Sequence, residues 1–149
     1  MAYKGDVYIL RGMPGQGKST FAQTLAKLHK NQLQHTREVT PDPVICSADQ
    51  FMVNKQGEYE YDKDRLYECH KKAQEKFQQA LRDEIPCVIV DNTNIRHKDY
   101  AFYKDKGIDY GYKVTILTVG TLDIETSRAR GTHNVPEAKL ESMSKNWQP

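Results

Sequence analysis

The run Asp6-Val7-Tyr8-Ile9-Leu10-Arg11-Gly12-Met13-Pro14-Gly15-Gln16-Gly17-Lys18-Ser19 decides how the rest of the chain is read. Its first six residues form a short apolar stretch of strand type. Three glycines and a proline break it, and Phe21, Leu25 and Leu28 then recur at helical spacing. Strand, glycine loop and helix therefore follow in order. From Gly12 to Ser19 the loop fits G-x-x-x-x-G-K-[ST] at every defined position. Glycines let the backbone curl so that successive N–H groups point inward around a phosphate chain. The helix that follows presents its positive N-terminal end to the same anion. Lys18 is suited to reach β- and γ-phosphates, and the Ser19 hydroxyl to ligate Mg²⁺. Gly12, Gly15, Gln16, Gly17, Lys18, Ser19 and Thr20 are thus the expected nucleotide-binding residues.

The remaining chain repeats the alternation of strand and helix. Val44-Ile45-Cys46-Ser47 reads as a second strand, after a polar segment containing Pro41 and Pro43. Asp62 reads as the N-cap of a long helix to about Asp83, with Leu66, Cys69, Ala73, Phe77 and Leu81 on one face. Cys87-Val88-Ile89-Val90-Asp91 is a third strand. A helix from His97 to Lys106 is expected to stop at Gly107, followed by a fourth strand over Tyr112 to Val119. Helices from about Asp123 to Arg130 and from Pro136 to about Lys145 complete the pattern, with Pro136 in a first helical turn. Such alternation predicts an α/β fold, a small doubly wound parallel sheet of about four strands with flanking helices. Its ligand site belongs at the carboxyl ends of the strands.

Composition bounds the rest. A chain of 149 residues is read as one domain, residues 1–149. Subtracting 20 acidic from 22 basic residues leaves a net charge of +2, far below what a histone-like binder of nucleic acid carries. No apolar run approaches the ~20 residues of a spanning helix, and the polar start lacks the apolar core of a secretory signal. Cys46, Cys69 and Cys87 show no C-x-x-C spacing, which argues against a zinc site or a disulfide framework and for buried thiols in a reducing compartment. The expectation is a soluble cytoplasmic domain.

Three further segments carry chemistry. Asp49 follows the second strand, on the edge that holds the glycine loop, where a carboxylate can take a proton from an acceptor hydroxyl; a turn or N-cap role fits the same position. Asp91 closes the third strand, as a Walker-B-type carboxylate does when it organises Mg²⁺. Asn92, Thr93 and Asn94 supply amide and hydroxyl groups for substrate contact, and Asn94 also suits a helix cap. Arg128-Ala129-Arg130-Gly131-Thr132-His133-Asn134-Val135-Pro136 is a basic link whose guanidinium groups suit a lid, about residues 126–136, over a transferring phosphate. Tyr59 and Tyr61 lie on the expected acceptor side, where a ring can stack on a base.

Together these motifs resemble the kinase domain of the phage-type 5′-polynucleotide kinases, over nearly the whole chain. The likeness is sharpest at residues 12–20, at Asp91-Asn92-Thr93-Asn94, and at Arg130-Gly131-Thr132-His133-Asn134-Val135-Pro136 with Leu140 and Met143. The resemblance implies an ATP-dependent kinase acting in nucleic-acid repair. It implies Asp49 as general base, Lys18 and Ser19 as holders of ATP and Mg²⁺, and Arg130 as a lid arginine at the γ-phosphate, with Arg128 beside the nucleotide. Two departures stand out. Met52 occupies the place, three residues after the catalytic Asp, where phage members carry an arginine that grips an acceptor phosphate. Methionine offers only apolar contact with sugar or base, so Lys55, Lys63 or Arg65 would have to replace that grip. No D-x-D-G-T phosphatase motif occurs. The expected reaction is transfer of the γ-phosphate of ATP to a 5′-hydroxyl of DNA or RNA. The alternatives are a kinase of a small hydroxyl acceptor, such as a nucleoside or sugar, and a nucleotide-binding switch or ATPase.

Overall fold

The structure, a computed structural model, describes residues 3–33, 40–121, 123–130 and 135–149. In chain order the elements are β1 (Asp6–Arg11), α1 (Lys18–Leu33), β2 (Val44–Cys46), α2 (Leu66–Arg82), β3 (Cys87–Asp91), α3 (His97–Asp109), β4 (Lys113–Thr118), α4 (Ile124–Arg130) and α5 (Glu137–Asn146). Two short 3₁₀ turns, Ala48–Phe51 and Lys63–Arg65, lie between β2 and α2. The strands pair in the order β2-β3-β1-β4, all parallel. This is the expected α/β sheet, and no described helix is long and apolar enough to cross a membrane.

Alternation along β1 explains the layers. Val7 and Ile9 face one side with Val88 and Val90 of β3, under Phe77 and Leu81 of α2 and Tyr100 and Tyr103 of α3. Phe77 meets Tyr103 edge to face at 5.0 Å. Leu10, with Tyr8, faces the other side with Cys87 and Ile89, under Ala22, Leu25 and Ala26 of α1. Every residue of β3 is buried, as the middle of a sheet covered on both faces requires. The edge strand β4 is only half-buried. Cys46, Cys69 and Cys87 are all buried free thiols.

Four local expectations are corrected. On α1 the inward stripe is Ala22, Leu25 and Ala26, while Phe21 and Leu28 are exposed; the small alanines let the helix lie close on β1 and β3. Asp62 caps the 3₁₀ turn before α2, accepting the Asp64 N–H at 2.9 Å, and Leu66 then opens the helix. β4 starts at Lys113; Tyr112 is buried instead and its hydroxyl donates to the Ile85 carbonyl at 2.8 Å. Finally, α3 runs through Gly107 to Asp109. Gly107 is a packing residue rather than a stop, because a Cβ there would lie 2.7 Å from Cγ2 of Val114 and 3.5 Å from that of Val7. Its hydrogen lets α3 close onto β1 and β4. Gly107→Val should therefore overpack this contact and cost about 1–3 kcal/mol. Urea unfolding measures it, and an unchanged midpoint would mean that Val114 gives way freely.

Candidate active site

The site begins where β1 and β3 end. Gly12 N donates to the Thr93 carbonyl at 3.0 Å, and Asn94 Nδ2 donates to the Leu10 carbonyl at 2.8 Å. Gly12 has no room for a side chain, since a Cβ would stand 2.4 Å from the Val119 carbonyl oxygen. Arg11 completes the junction. Its guanidinium donates to the Asn94, Ile95 and Gln148 carbonyls and lies over the rings of Tyr100 and Trp147, 4.8 and 4.3 Å from their centroids. From this fixed base the loop turns through Gly15 and Gly17, whose φ values of 76° and 92° favour glycine. It enters α1 with a first helical bond from Phe21 N to the Gly17 carbonyl at 2.9 Å. The early N–H groups of α1, those of Lys18, Ser19 and Thr20, precede that bond and have no partner within the helix, so they are suited to an anion.

Lys18 folds back over the loop, its Nζ donating to the Met13 carbonyl at 3.0 Å. Burial pushes its ammonium down from the ordinary range, while the carboxylates of Asp91 and Asp49 push it back up. The Ser19 hydroxyl donates to Asp91 Oδ2 at 2.9 Å, joining the loop to β3. Burial raises the Asp91 carboxyl; the Ser19 bond and Lys18 lower it in part, and Asp49 raises it further. Two hard oxygen donors held together beside a phosphate loop fit Mg²⁺, which takes one or two protein oxygens and completes its shell with phosphates and water. Among the described residues no group of three or more His, Cys, Asp or Glu forms a metal cage.

Asp49 stands opposite, exposed, in the 3₁₀ turn after β2. Ser47 is the cap of that turn, accepting the Asp49 N–H at 3.2 Å, so Asp49 itself is not the capping side chain. The turn is tied to β3 by the Ala48 N–H, which donates to Asn92 Oδ1 at 2.9 Å. The structure thus brings Asp49, Lys18, Ser19 and Asp91 to one strand edge. Arg128 and Arg130 both lie on α4. Arg128 is half-exposed on α4 and pairs with Glu125 and Glu137, at 3.4 and 3.3 Å. Arg130 is exposed at the last residue of α4, and residues 131–134 of the expected lid lie outside the described residues.

Other expectations are replaced by structural roles. Asn92 and Asn94 are buried: Asn92 Oδ1 accepts the Ala48 N–H, Asn94 Nδ2 donates to the Leu10 carbonyl, and α3 is capped at Arg96, so Asn94 is not the helix cap and both asparagines serve the strand junction. Met52 is 1 % exposed, because the 3₁₀ turn directs residue 52 inward onto Ala48 and Cys69. Its sulfur accepts the Asp62 N–H at 3.4 Å, so it does not line the acceptor surface. Tyr59 packs on the same small core. The Arg65 guanidinium is spent on the Val53 and Phe51 carbonyls, at 2.8 and 2.9 Å. Gln16, expected at the nucleotide, has a side chain with a structural role. It is buried, donates to Ser127 Oγ at 3.0 Å and accepts the Thr121 N–H at 3.1 Å, filling the space that Gly120 leaves open. The pairing of a loop amide with a glycine more than a hundred residues away carries no local signal.

The model of the AAA domain family matches residues 7–149. The chain belongs to that family. A human relative, NEDD4-binding protein 2, is 31% identical over 152 residues, covering 99% of this chain but only 8% of its own length. The chain thus spans less than a tenth of that relative. Among solved structures, the Pnkp1/Rnl/Hen1 complex matches 87% of the chain and 40% of its own, with a TM-score of 0.63 and 20% identity. Kti12 of Chaetomium thermophilum with ADP-AlF3 matches 96% of this chain and 80% of its own, at TM-score 0.62 and 13% identity. A gluconokinase from Sinorhizobium meliloti matches all of this chain and 78% of its own, at 0.58 and 15%. These likenesses show the fold, a four-stranded parallel α/β sheet with flanking helices.

The buried carboxyl gives this site a pH signature. A folded state that raises the Asp91 pKa above its ordinary 3.8 opposes the charged form, so the fold loses stability as pH rises through the raised value. Asp91→Asn removes that cost and keeps an acceptor for Ser19. Without nucleotide, the variant should melt above wild type at pH 7, and the gap should close as pH falls below about 4. Thermal melts at both pH values check this. A variant less stable at pH 7 would mean that the Ser19 and Lys18 contacts outweigh burial.

Proposed function

We propose that this chain is an ATP-dependent phosphotransferase whose acceptor is a 5′-hydroxyl of DNA or RNA. The observation that carries this reading is the carboxylate of Asp49, exposed in the turn that the Ala48 N–H ties to Asn92, the residue after Asp91. A nucleotide switch needs a group that orients water. A kinase needs a base facing the γ-phosphate, and Asp49 has the chemistry for that.

In the proposed reaction the glycine loop and the first turn of α1 hold the phosphate chain with backbone N–H groups. Lys18 leaves the Met13 carbonyl for the β- and γ-phosphate oxygens. Ser19 and Asp91 would hold Mg²⁺, which would supply charge neutralisation at the phosphates. Asp49 takes the proton of the acceptor hydroxyl while its oxygen bonds to the γ-phosphorus and the bond to the β-phosphate bridging oxygen breaks. Arg130, and Arg128 once released from Glu125 and Glu137, would move with α4 to the transferring phosphate. The resemblance of residues 130–136 to the polynucleotide kinases and the fold likeness to a complex containing Pnkp1 support a nucleic-acid end as acceptor. The likeness to a gluconokinase and to a Mycobacterium tuberculosis APS kinase supports a second reading, a small hydroxyl acceptor.

Two substitutions test the roles. Asp49→Asn keeps size and polarity and should leave ATP affinity within a few-fold while transfer falls by about 10²–10⁴. Lys18→Ala should abolish most transfer with the fold intact. Calorimetric ATP binding and initial rates measure both. If ATP affinity collapses in Asp49→Asn, that carboxylate serves the nucleotide or metal and is not the base.

A further inference from the structure

Between the first turn of α3 and the outer face of α5 lies a cleft of about 330 Å³, lined among others by Ile95, Arg96, Lys98, Asp99, Lys139 and Met143. We infer that this cleft holds a backbone phosphodiester of a single nucleic-acid strand whose 5′-hydroxyl end lies at Asp49, an inference that rests on the acceptor reading above.

Charge is the first argument. Three cations face one carboxylate, and that carboxylate is already engaged: Asp99 Oδ2 accepts the Arg96 N–H at 2.9 Å. Ile95 and Met143 add apolar surface suited to a sugar, with cations around it for the phosphate. Position is the second argument. The cleft begins at Ile95, three residues after Asn92, whose Oδ1 accepts the N–H of Ala48 beside Asp49 at 2.9 Å. The third argument is the poverty of the other direction. Residues 55–64 carry Glu58, Glu60, Asp62 and Asp64 against Lys55 and Lys63, Met52 is buried, and Arg65 is held by backbone carbonyls. A phosphate leaving Asp49 on that side meets net negative charge; on the side of α3 and α5 it meets positive charge. Tyr61 marks the boundary. Its hydroxyl accepts from Lys139 Nζ at 3.1 Å, and the ammonium lies 4.4 Å from the ring centroid, which holds this cation at the cleft. The strand's second and later phosphates take up the role that an arginine in place of Met52 would have served for the first.

The test is fluorescence anisotropy of an eight-nucleotide 5′-hydroxyl strand labelled at its 3′ end, as DNA and as RNA, against the full chain with ADP present. Lys98→Glu and Lys139→Gln should each weaken binding about tenfold, and Lys139→Gln should flatten the salt dependence by about 0.7, one single-strand phosphate contact. Lys104→Glu, on the exposed part of the same helix outside the cleft, changes net charge as much as Lys98→Glu and should stay within twofold of wild type. Either sugar chemistry giving this pattern supports the cleft. Equal weakening by Lys98→Glu and Lys104→Glu, or no strand binding by wild type, overturns it. The same strands are assayed for phosphorylation. Cleft-dependent binding without phosphorylation would sink the 5′-kinase reading and leave the cleft standing. Phosphorylation with binding indifferent to Lys98 and Lys139 would do the reverse.

Discussion

The junction between the carboxyl ends of β1 and β3 is the constraint on which the site depends. Arg11 is nearly fully buried, and its charge is spread over three backbone carbonyls and two aromatic rings. A buried guanidinium is costly unless its donors are satisfied, and here satisfying them binds the start of the glycine loop to the segment after Asp91. Gly12 and Asn94 add reciprocal bonds across the same seam. Lys18 and Asp91 therefore approach one another through a rigid junction, with Ser19 bridging them. Asp49 is fixed to the same seam through Ala48 and Asn92. Loops of ordinary flexibility could not hold Asp49, the glycine loop and Asp91 in a common register.

A second link runs from the loop to α4. Gln16 sits in the space that Gly120 leaves open and bonds to Thr121 and Ser127, so the phosphate loop and the helix that carries Arg128 and Arg130 share one side chain. In this structure Arg128 is held on the outside by Glu125 and Glu137, exposed pairs that contribute little each and break at small cost.

Much of this was legible in the sequence, for physical reasons. Strands buried on both faces must be apolar throughout, so residues 6–11 and 87–91 announce themselves, and a phosphate loop needs glycines and a lysine at fixed spacing. The carboxylates at strand ends follow from topology, since parallel strands deliver their last residues to one edge. What failed were particular readings that needed the third dimension at finer grain, although the inward face of α2 follows its sequence pattern through Cys69, Ala73, Phe77 and Leu81. The inward face of α1 is set by where two alanines permit close approach. Gly107 looks like a helix stop and is a contact with Val114. The resemblance puts Met52 where phage members grip an acceptor phosphate, and Asn92 and Asn94 follow Asp91 closely as amides suited to a substrate. The 3₁₀ turn and the strand junction direct all three inward. Polar residues next to a site hold it together as often as they touch its ligand.

The central claim is that this edge moves the γ-phosphate of ATP onto a 5′-hydroxyl nucleic-acid end. The most direct measurement supplies γ-labelled ATP and Mg²⁺ to the chain with 5′-hydroxyl oligonucleotides of DNA and RNA, nucleosides and sugars in parallel, and follows where the label goes. The account predicts label on the 5′ ends of oligonucleotides at rates well above those for nucleosides or sugars. Label appearing only in inorganic phosphate, or only on a small hydroxyl compound, would contradict it.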